Sequence, residues 1–211
     1  MTSNSDQHPW EKIYQRDGRV FSEILPAYHQ AVDRLSKHNC KKILDLGCGN
    51  GRFIIAFSLE EFNMVGFDIS PTGLSLTRDW LKEKGIQADL VRGDTRHALP
   101  FQDNSFPGLF STQVIHHALL PEIRQTIQEI WRVIKPGGLA FISVAGKLHL
   151  DINYKEIEPG TYIPLEGDEK GLPHHIFTKI ELRAEFSNFE IMDLGPRDQG
   201  RVLAIWIRKP S

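Results

Sequence analysis

Short apolar runs alternate along the chain with stretches whose apolar residues recur every three or four positions. The runs "KKILDL", "NMVGFDI", "ADLVRGD", "FPGLFSTQVI" and "GGLAFISVA" read as strands, and "RFIIAFSLEE", "SPTGLSLTRDWLKEKG" and "PEIRQTIQEIWRVIKPGG" between them read as helices. That rhythm predicts a parallel sheet covered by helices on both faces. The last helix has the cleanest period: Ile123, Ile127, Ile130 and Ile134 share one face, Pro121 suits the first turn, and Pro136-Gly137-Gly138 is expected to end it. Ser70-Pro71 reads as an N-cap followed by proline at the first helical position. Pro107, followed by Gly108, stands where the fourth strand should begin, and proline donates nothing to a ladder.

Two regions break the alternation. Residues 1–40 carry a polar tail, then "WEKIYQRDG" and the amphipathic "VFSEILPAYHQAVDRL", interrupted at Pro26, and predict one or two helices laid over the sheet. Residues 147–176 are polar, aperiodic and rich in turn signals, as lids and binding loops are. A short helix, "TKIELRAEF", and two apolar runs split by Gly, Pro and Asp, a hairpin signal, complete the chain. The expected organisation is one α/β domain over 1–211: a helical cap (1–40), a core (41–145), a lid or substrate insertion (147–176), and a helix with hairpin (177–211).

Composition narrows the function classes. A chain of 211 residues, 40% hydrophobic and 25% charged, has material for one well-buried core. A formal charge of −2 gives no global field that recruits a polyanion, so only a local patch would serve nucleic acid. Cys40 and Cys48 make no disulfide scaffold, which suits a reducing compartment. The start lacks a basic and apolar leader pattern, and no apolar run approaches the ~20 residues of a membrane span. The expectation is a cytoplasmic protein outside the membrane.

The densest signal is "KKILDLGCGNGR", where Gly47, Gly49 and Gly51 follow the first strand and precede a helix. In a doubly wound sheet, ligands bind beyond the carboxyl ends of the strands. The order Gly47-Cys48-Gly49-Asn50-Gly51-Arg52 lacks the last glycine of G-x-G-x-x-G, and Asp45 would repel a pyrophosphate, so the spacing disfavours a dinucleotide. Cys48, between two glycines, reads as a small residue that fits rather than a nucleophile.

"LDLGCGNG" resembles the first motif of class I S-adenosylmethionine-dependent methyltransferases, and the similarity runs from about residue 41 to about residue 145. "VGFDIS", "RGDTRHALPFQDNSF" and "IWRVIKPGGLAFIS" resemble the family's later motifs in order, and the pattern looks closest to the type 11 branch, which includes ubiquinone and menaquinone C-methyltransferases. The resemblance implies a Rossmann-like, doubly wound, mostly parallel seven-stranded sheet with an antiparallel C-terminal hairpin, S-adenosylmethionine as cofactor and S-adenosylhomocysteine as product. It implies that Asp68 binds both ribose hydroxyls, with Ile69 beside it. Asp94 would bind the adenine amine, and Thr95 would offer a backbone N–H. The methionine end would fall to Asp45, Gly47, Cys48, Gly49 and Gly51, with Gln113 beside the cofactor and Trp10 and Tyr14 as an aromatic cap. In chemical terms, a carboxylate accepts well from two adjacent hydroxyls, and a sulfonium methyl needs little beyond alignment and, where the acceptor carries a proton, a base.

His116 and His117 stand at the end of the fourth strand, and His174 and His175 in the polar insertion. His116, His117 and His175 are the candidate bases, with core or capping histidines as the plain alternative. Neighbouring side chains diverge on a strand or helix, so the two pairs predict no metal site. Acidic residues of the insertion, among them Asp151, Glu156, Glu158, Glu166, Asp168 and Glu169, disfavour a phosphate backbone and point to a small neutral or cationic acceptor. A tRNA or protein methyltransferase, and a cofactor-binding protein without transferase activity, are the competing readings.

Overall fold

The computed structural model describes residues 7–20, 22–25 and 27–211. The polar tail at 1–6 and the break expected at Pro26 lie outside them. Two helices, α1 (Pro9–Asp17) and α2 (Ala27–Lys37), precede the alternating core β1 (Lys42–Leu46), α3 (Arg52–Leu59), β2 (Asn63–Asp68), α4 (Pro71–Lys84), β3 (Asp89–Arg92), β4 (Phe106–Thr112), α5 (Leu120–Val133) and β5 (Ile134–Ala145). The insertion contributes β6 (Tyr154–Glu158), β7 (Thr161–Pro164) and β8 (His174–His175); α6 (Lys179–Glu185), β9 (Glu190–Arg197) and β10 (Val202–Arg208) follow.

The main sheet has seven strands in the order β3-β2-β1-β4-β5-β10-β9. β3 to β5 pair in parallel, and β10 runs antiparallel between β5 and β9. Strand order therefore reverses between β1 and β4, and a ligand crevice is expected above that point. Both faces of the sheet are covered. Leu44 and Leu46 of β1 pack with Ile123, Ile127 and Ile130 of α5, whereas Ile43 packs with Leu35 of α2 and with Phe53 and Phe57 of α3.

Local chemistry explains most element ends. Ser70 caps α4 as expected, its hydroxyl accepting from Gly73 N at 2.9 Å. β4 does begin at Phe106, and its pairing with β5 slips between Phe106 and Gly108, an irregularity that accommodates Pro107. The end of α5 corrects the sequence reading. The helix stops at Val133, and Pro136-Gly137-Gly138 lies inside β5 instead of terminating a helix. The cause is distant in sequence: the Lys209 ammonium donates to Trp131 O at 2.8 Å and Ile134 O at 2.9 Å, where cationic charge suits a helix C-terminus.

Residues 147–176 also acquire regular structure, because β6, β7 and β8 form a separate three-stranded antiparallel sheet. That sheet is tied to the core through main chain: His175 N donates to His116 O at 2.8 Å, and Phe177 N to Ala145 O at 3.0 Å. Those bonds bring the second histidine pair beside the first.

Candidate active site

Above the β1/β4 reversal lies a cavity of about 230 Å³. Its floor is the loop after β1. Gly47, Gly49 and Gly51 all have positive φ (80°, 56° and 88°), which a residue with a Cβ rarely adopts. The space beside each is already filled by the protein: a Cβ on Gly47 would overlap Val114, one on Gly49 the Tyr14 hydroxyl, and one on Gly51 the Thr77 side chain. The loop is bare first because its own neighbours press on it. Its first two amides, Gly47 N and Cys48 N, donate to Phe67 O at the end of β2 (2.7 and 3.1 Å).

Asp68 closes that turn. One carboxylate oxygen accepts from Gly49 N and the other from Ser70 N, both at 2.8 Å, and the residue is buried. The Ile69 amide also bonds to the carboxylate, which leaves only part of its about four acceptor positions for a ligand. Burial raises the Asp68 carboxyl above its ordinary range, opposed by the bonds from Ser70 and Gly49.

The sequence-predicted residues divide cleanly. Gly47, Cys48, Gly49, Asp68 and Ile69 line the cavity, as do Asp94, Thr95 and Gln113, and the aromatic pair Trp10 and Tyr14 closes it from α1. Asp45 and Gly51 lie outside the lining. Asp45 sits behind the loop, 2% exposed, with Oδ2 unpartnered among the described residues; burial pushes its carboxyl up to about 8. Asp94 is engaged by Arg96, which clamps its two oxygens at 2.6–3.0 Å, while Arg96 N adds a bond at 2.9 Å. Gln113 holds φ +57°, a left-handed conformation that turns the chain at the end of β4 toward the cavity. Cys48 is buried, and burial lifts its thiol well above the ordinary value, which leaves it inert.

Of the three candidate bases, His117 lines the cavity, with its ring edge-on to Trp10 at 5.6 Å. Burial, with His116 and His174 beside it, holds the His117 imidazole well below its usual range. His116 is 2% exposed, lies outside the lining and is pushed down to about 3 by burial. His175, fully buried, bonds Thr161 Oγ1 at 2.7 Å and Glu181 at 3.2 Å, clasping the small sheet to α6.

Four contributors escaped the sequence reading. Arg52, Arg96 and His8 line the cavity, and Glu11 positions it. The buried Glu11 carboxylate accepts from Ser70 Oγ, from Thr72 N (3.1 Å) and Thr72 Oγ1 (2.6 Å), and from Gln15 (2.7 Å), docking α1 on the N-terminus of α4. Trp10 and Tyr14 thereby overhang the loop. Arg96 had a local signal in its closeness to Asp94, but nothing around Glu11 announced a partner 59 residues away.

The donor set fits S-adenosylmethionine: the acceptor positions left on Asp68 for ribose hydroxyls, a polar edge at Asp94 and Thr95 for adenine, and aromatic faces for a sulfonium cation.

Residues 43–138 match the methyltransferase-domain family. The chain is 37% identical over 112 residues to 24-methylenesterol C-methyltransferase 2 of Arabidopsis thaliana, covering 52% of this chain and 30% of that one. It is 30% identical over 106 residues to the ubiquinone biosynthesis O-methyltransferase of Chelativorans sp., covering 50% of this chain and 41% of that one. The matched segment thus spans less than half the length of these curated relatives. Across 95% of the chain and 85% of the other, the fold superposes with a TM-score of 0.70, at 18% identity, on Burkholderia thailandensis 1,6-didemethyltoxoflavin-N1-methyltransferase, solved with 1,6-didemethyltoxoflavin and S-adenosylhomocysteine. Residues 43–138 thus match a methyltransferase-domain family, and the fold is the one seen in solved S-adenosylmethionine-dependent methyltransferases.

Proposed function

We propose that this chain transfers the methyl group of S-adenosylmethionine to a small, neutral or cationic acceptor. The observation that carries the reading is one cavity lined by the glycine loop, Asp68 and Asp94, by the aromatic pair on α1, and by His117 on the side toward the insertion. The cofactor, when bound, supplies a methyl already activated by the positive sulfur. What remains for the protein is binding and alignment. Asp68 takes the ribose hydroxyls. Asp94 takes the adenine amine once Arg96 yields part of its clamp, and Thr95 offers its N–H beside it. Trp10 and Tyr14 shield the sulfonium end, and His117 is the histidine that meets the acceptor; His116 and His175 support it from behind. The insertion covers the acceptor.

The acidity of the insertion supports a small acceptor over tRNA. Glu156 and Glu166 are exposed there, and residues 147–176 carry six carboxylates against three lysines, a balance that disfavours a phosphate backbone. No helix of the described residues is long and apolar enough to cross a membrane, in keeping with a cytoplasmic enzyme. The test is methyl incorporation from labelled cofactor into extracted metabolites, run beside tRNA and protein fractions. Turnover of a metabolite with no incorporation into tRNA or protein is expected. Salt-sensitive tRNA binding with incorporation would overturn the acceptor class, and tight cofactor binding without turnover on any fraction would overturn transfer itself.

A further inference from the structure

The bonds that dock the small sheet on the core bring one histidine from each pair together. His117, Glu169 and His174 each present a ligand atom, and the three atoms lie within 4.8 Å of one another. The sequence predicted no metal site because neighbours within a pair were expected to diverge; the rings of His116 and His117 in fact lie 4.0 Å apart, and the tertiary structure adds a member of the other pair. Rings of His117 and His174 meet edge-to-face at 4.6 Å.

Hydrogen bonding makes this more than proximity. His174 Nδ1 lies 2.9 Å from Leu172 O, and a carbonyl only accepts, so Nδ1 carries the proton. In the neutral ring Nε2 then presents a lone pair, and it faces a Glu169 carboxylate oxygen at 3.0 Å. Two lone pairs at that distance repel unless something positive joins them. A second proton on His174 would do so, but it would leave His117 unserved, whose Nδ1 is buried without a partner among the described residues. A cation would engage all three groups once His117 closes on it, because two ligand atoms ~2.1 Å from one ion stand at most ~4.2 Å apart and the set spans up to 4.8 Å. Two ligand atoms each ~2.1 Å from one ion and at right angles stand ~3.0 Å apart, the separation of the His174–Glu169 pair. An imidazole whose other nitrogen is fixed by a backbone carbonyl is also the usual form of a metal-binding histidine.

We propose that His117, Glu169 and His174 form a binding site for one divalent transition-metal ion, such as Zn²⁺, Fe²⁺ or Co²⁺, with coordination positions left open at the edge of the cavity. Two imidazoles and one carboxylate suit borderline ions over Mg²⁺ or Ca²⁺, which favour all-oxygen shells. Because His117 lines the cavity while Glu169 and His174 do not, an ion there would stand at the edge of the acceptor space. The inference rests on the proposed function only for the identity of that space, and it deepens it: an acceptor with a heteroatom able to ligate the ion, a hydroxyl, thiol or amine, is the class this site would hold.

The test uses tag-free full-length protein stripped with a chelator and titrated with Co²⁺, read by visible absorption, then displaced with Zn²⁺ in a calorimeter. Saturation at one equivalent per chain is expected, with no competition from Mg²⁺. Glu169→Gln and His117→Ala, each confirmed as folded by circular dichroism, are expected to weaken Co²⁺ binding at least about ten-fold. Absence of saturable one-equivalent binding in the wild type, the result expected of a doubly protonated His174 paired with Glu169, would overturn the proposal, and so would wild-type affinity in both variants. S-adenosylhomocysteine titrated into the same stripped protein reads the cofactor assignment separately, so failure of either reading is visible without the other.

Discussion

The glycine loop lines the cavity directly, whereas the insertion reaches it only through His117, whose ring meets that of His174, and the two regions are built in opposite ways. In the loop, residues 47–51 and Asp68 act mainly through backbone: positive φ angles, amides turned onto Phe67 O, and a carboxylate that ties Gly49 to Ser70. At the insertion, side chains instead converge: Glu169 and His174 meet His117 of the core once a small sheet has docked. Backbone devices need particular residue types at particular spacings and leave a mark in the sequence. Converging side chains need only a docked surface, and surfaces leave none.

The strongest way to break this contrast is Asp68→Ala. It removes acceptors for the ligand and the tether of the loop at once, and hydrogen bonds to charged groups are worth ~1.5–3 kcal/mol each, so cofactor affinity should fall by about a hundred-fold or more in calorimetry. Glu169→Gln should move it by less than about three-fold. Equal losses would mean that loop and insertion act as one unit.

Asp45→Asn sharpens the loop side. The buried carboxyl is pushed up to about 8, above its unfolded value near 4. Between those values the unfolded chain releases a proton that the folded chain keeps, so the wild type loses stability as pH rises through that window. Asparagine does not titrate, so the variant should gain on the wild type from about pH 4 to about pH 8, by a few kcal/mol at the upper end, in chemical denaturation at each pH.

Glu11→Ala tests whether the cavity's roof depends on one docking carboxylate. Losing its bonds to Ser70, Thr72 and Gln15 should cost ~2 kcal/mol in thermal unfolding and should loosen Trp10 and Tyr14 over the loop. Burial opposes the charge of Glu11, but the hydrogen bonds outweigh it and hold its carboxyl below the usual range. Its contribution is therefore full above the unfolded pKa and lost as pH falls through the folded one, so the gap between variant and wild type should close in acid. A gap that does not change with pH would assign the effect to packing.

The smallest expected effect joins the two regions. Arg16 of α1 grips Asp168 of the insertion through two bonds at 2.5 and 2.7 Å, but both side chains are exposed. Arg16→Ala should cost less than about 1 kcal/mol. A larger loss would show that roof and insertion move together.

The sequence by itself determined the alternating core, the cap at Ser70, the C-terminal hairpin and much of the cavity lining, because periodicity, capping and glycine turns are set by neighbours along the chain. It misplaced the end of α5, which Lys209 sets from across the sheet, and it left residues 147–176 without strands because their pairing rests on docking and not on a hydrophobic period. Only the tertiary structure decided that Asp45 sits behind the loop and outside the cavity lining, that Arg96 holds Asp94, that Glu11 anchors the roof, and that His174 and Glu169 come up beside His117. Each is a contact between groups far apart in sequence, fixed by how the helices and the small sheet pack on the main one.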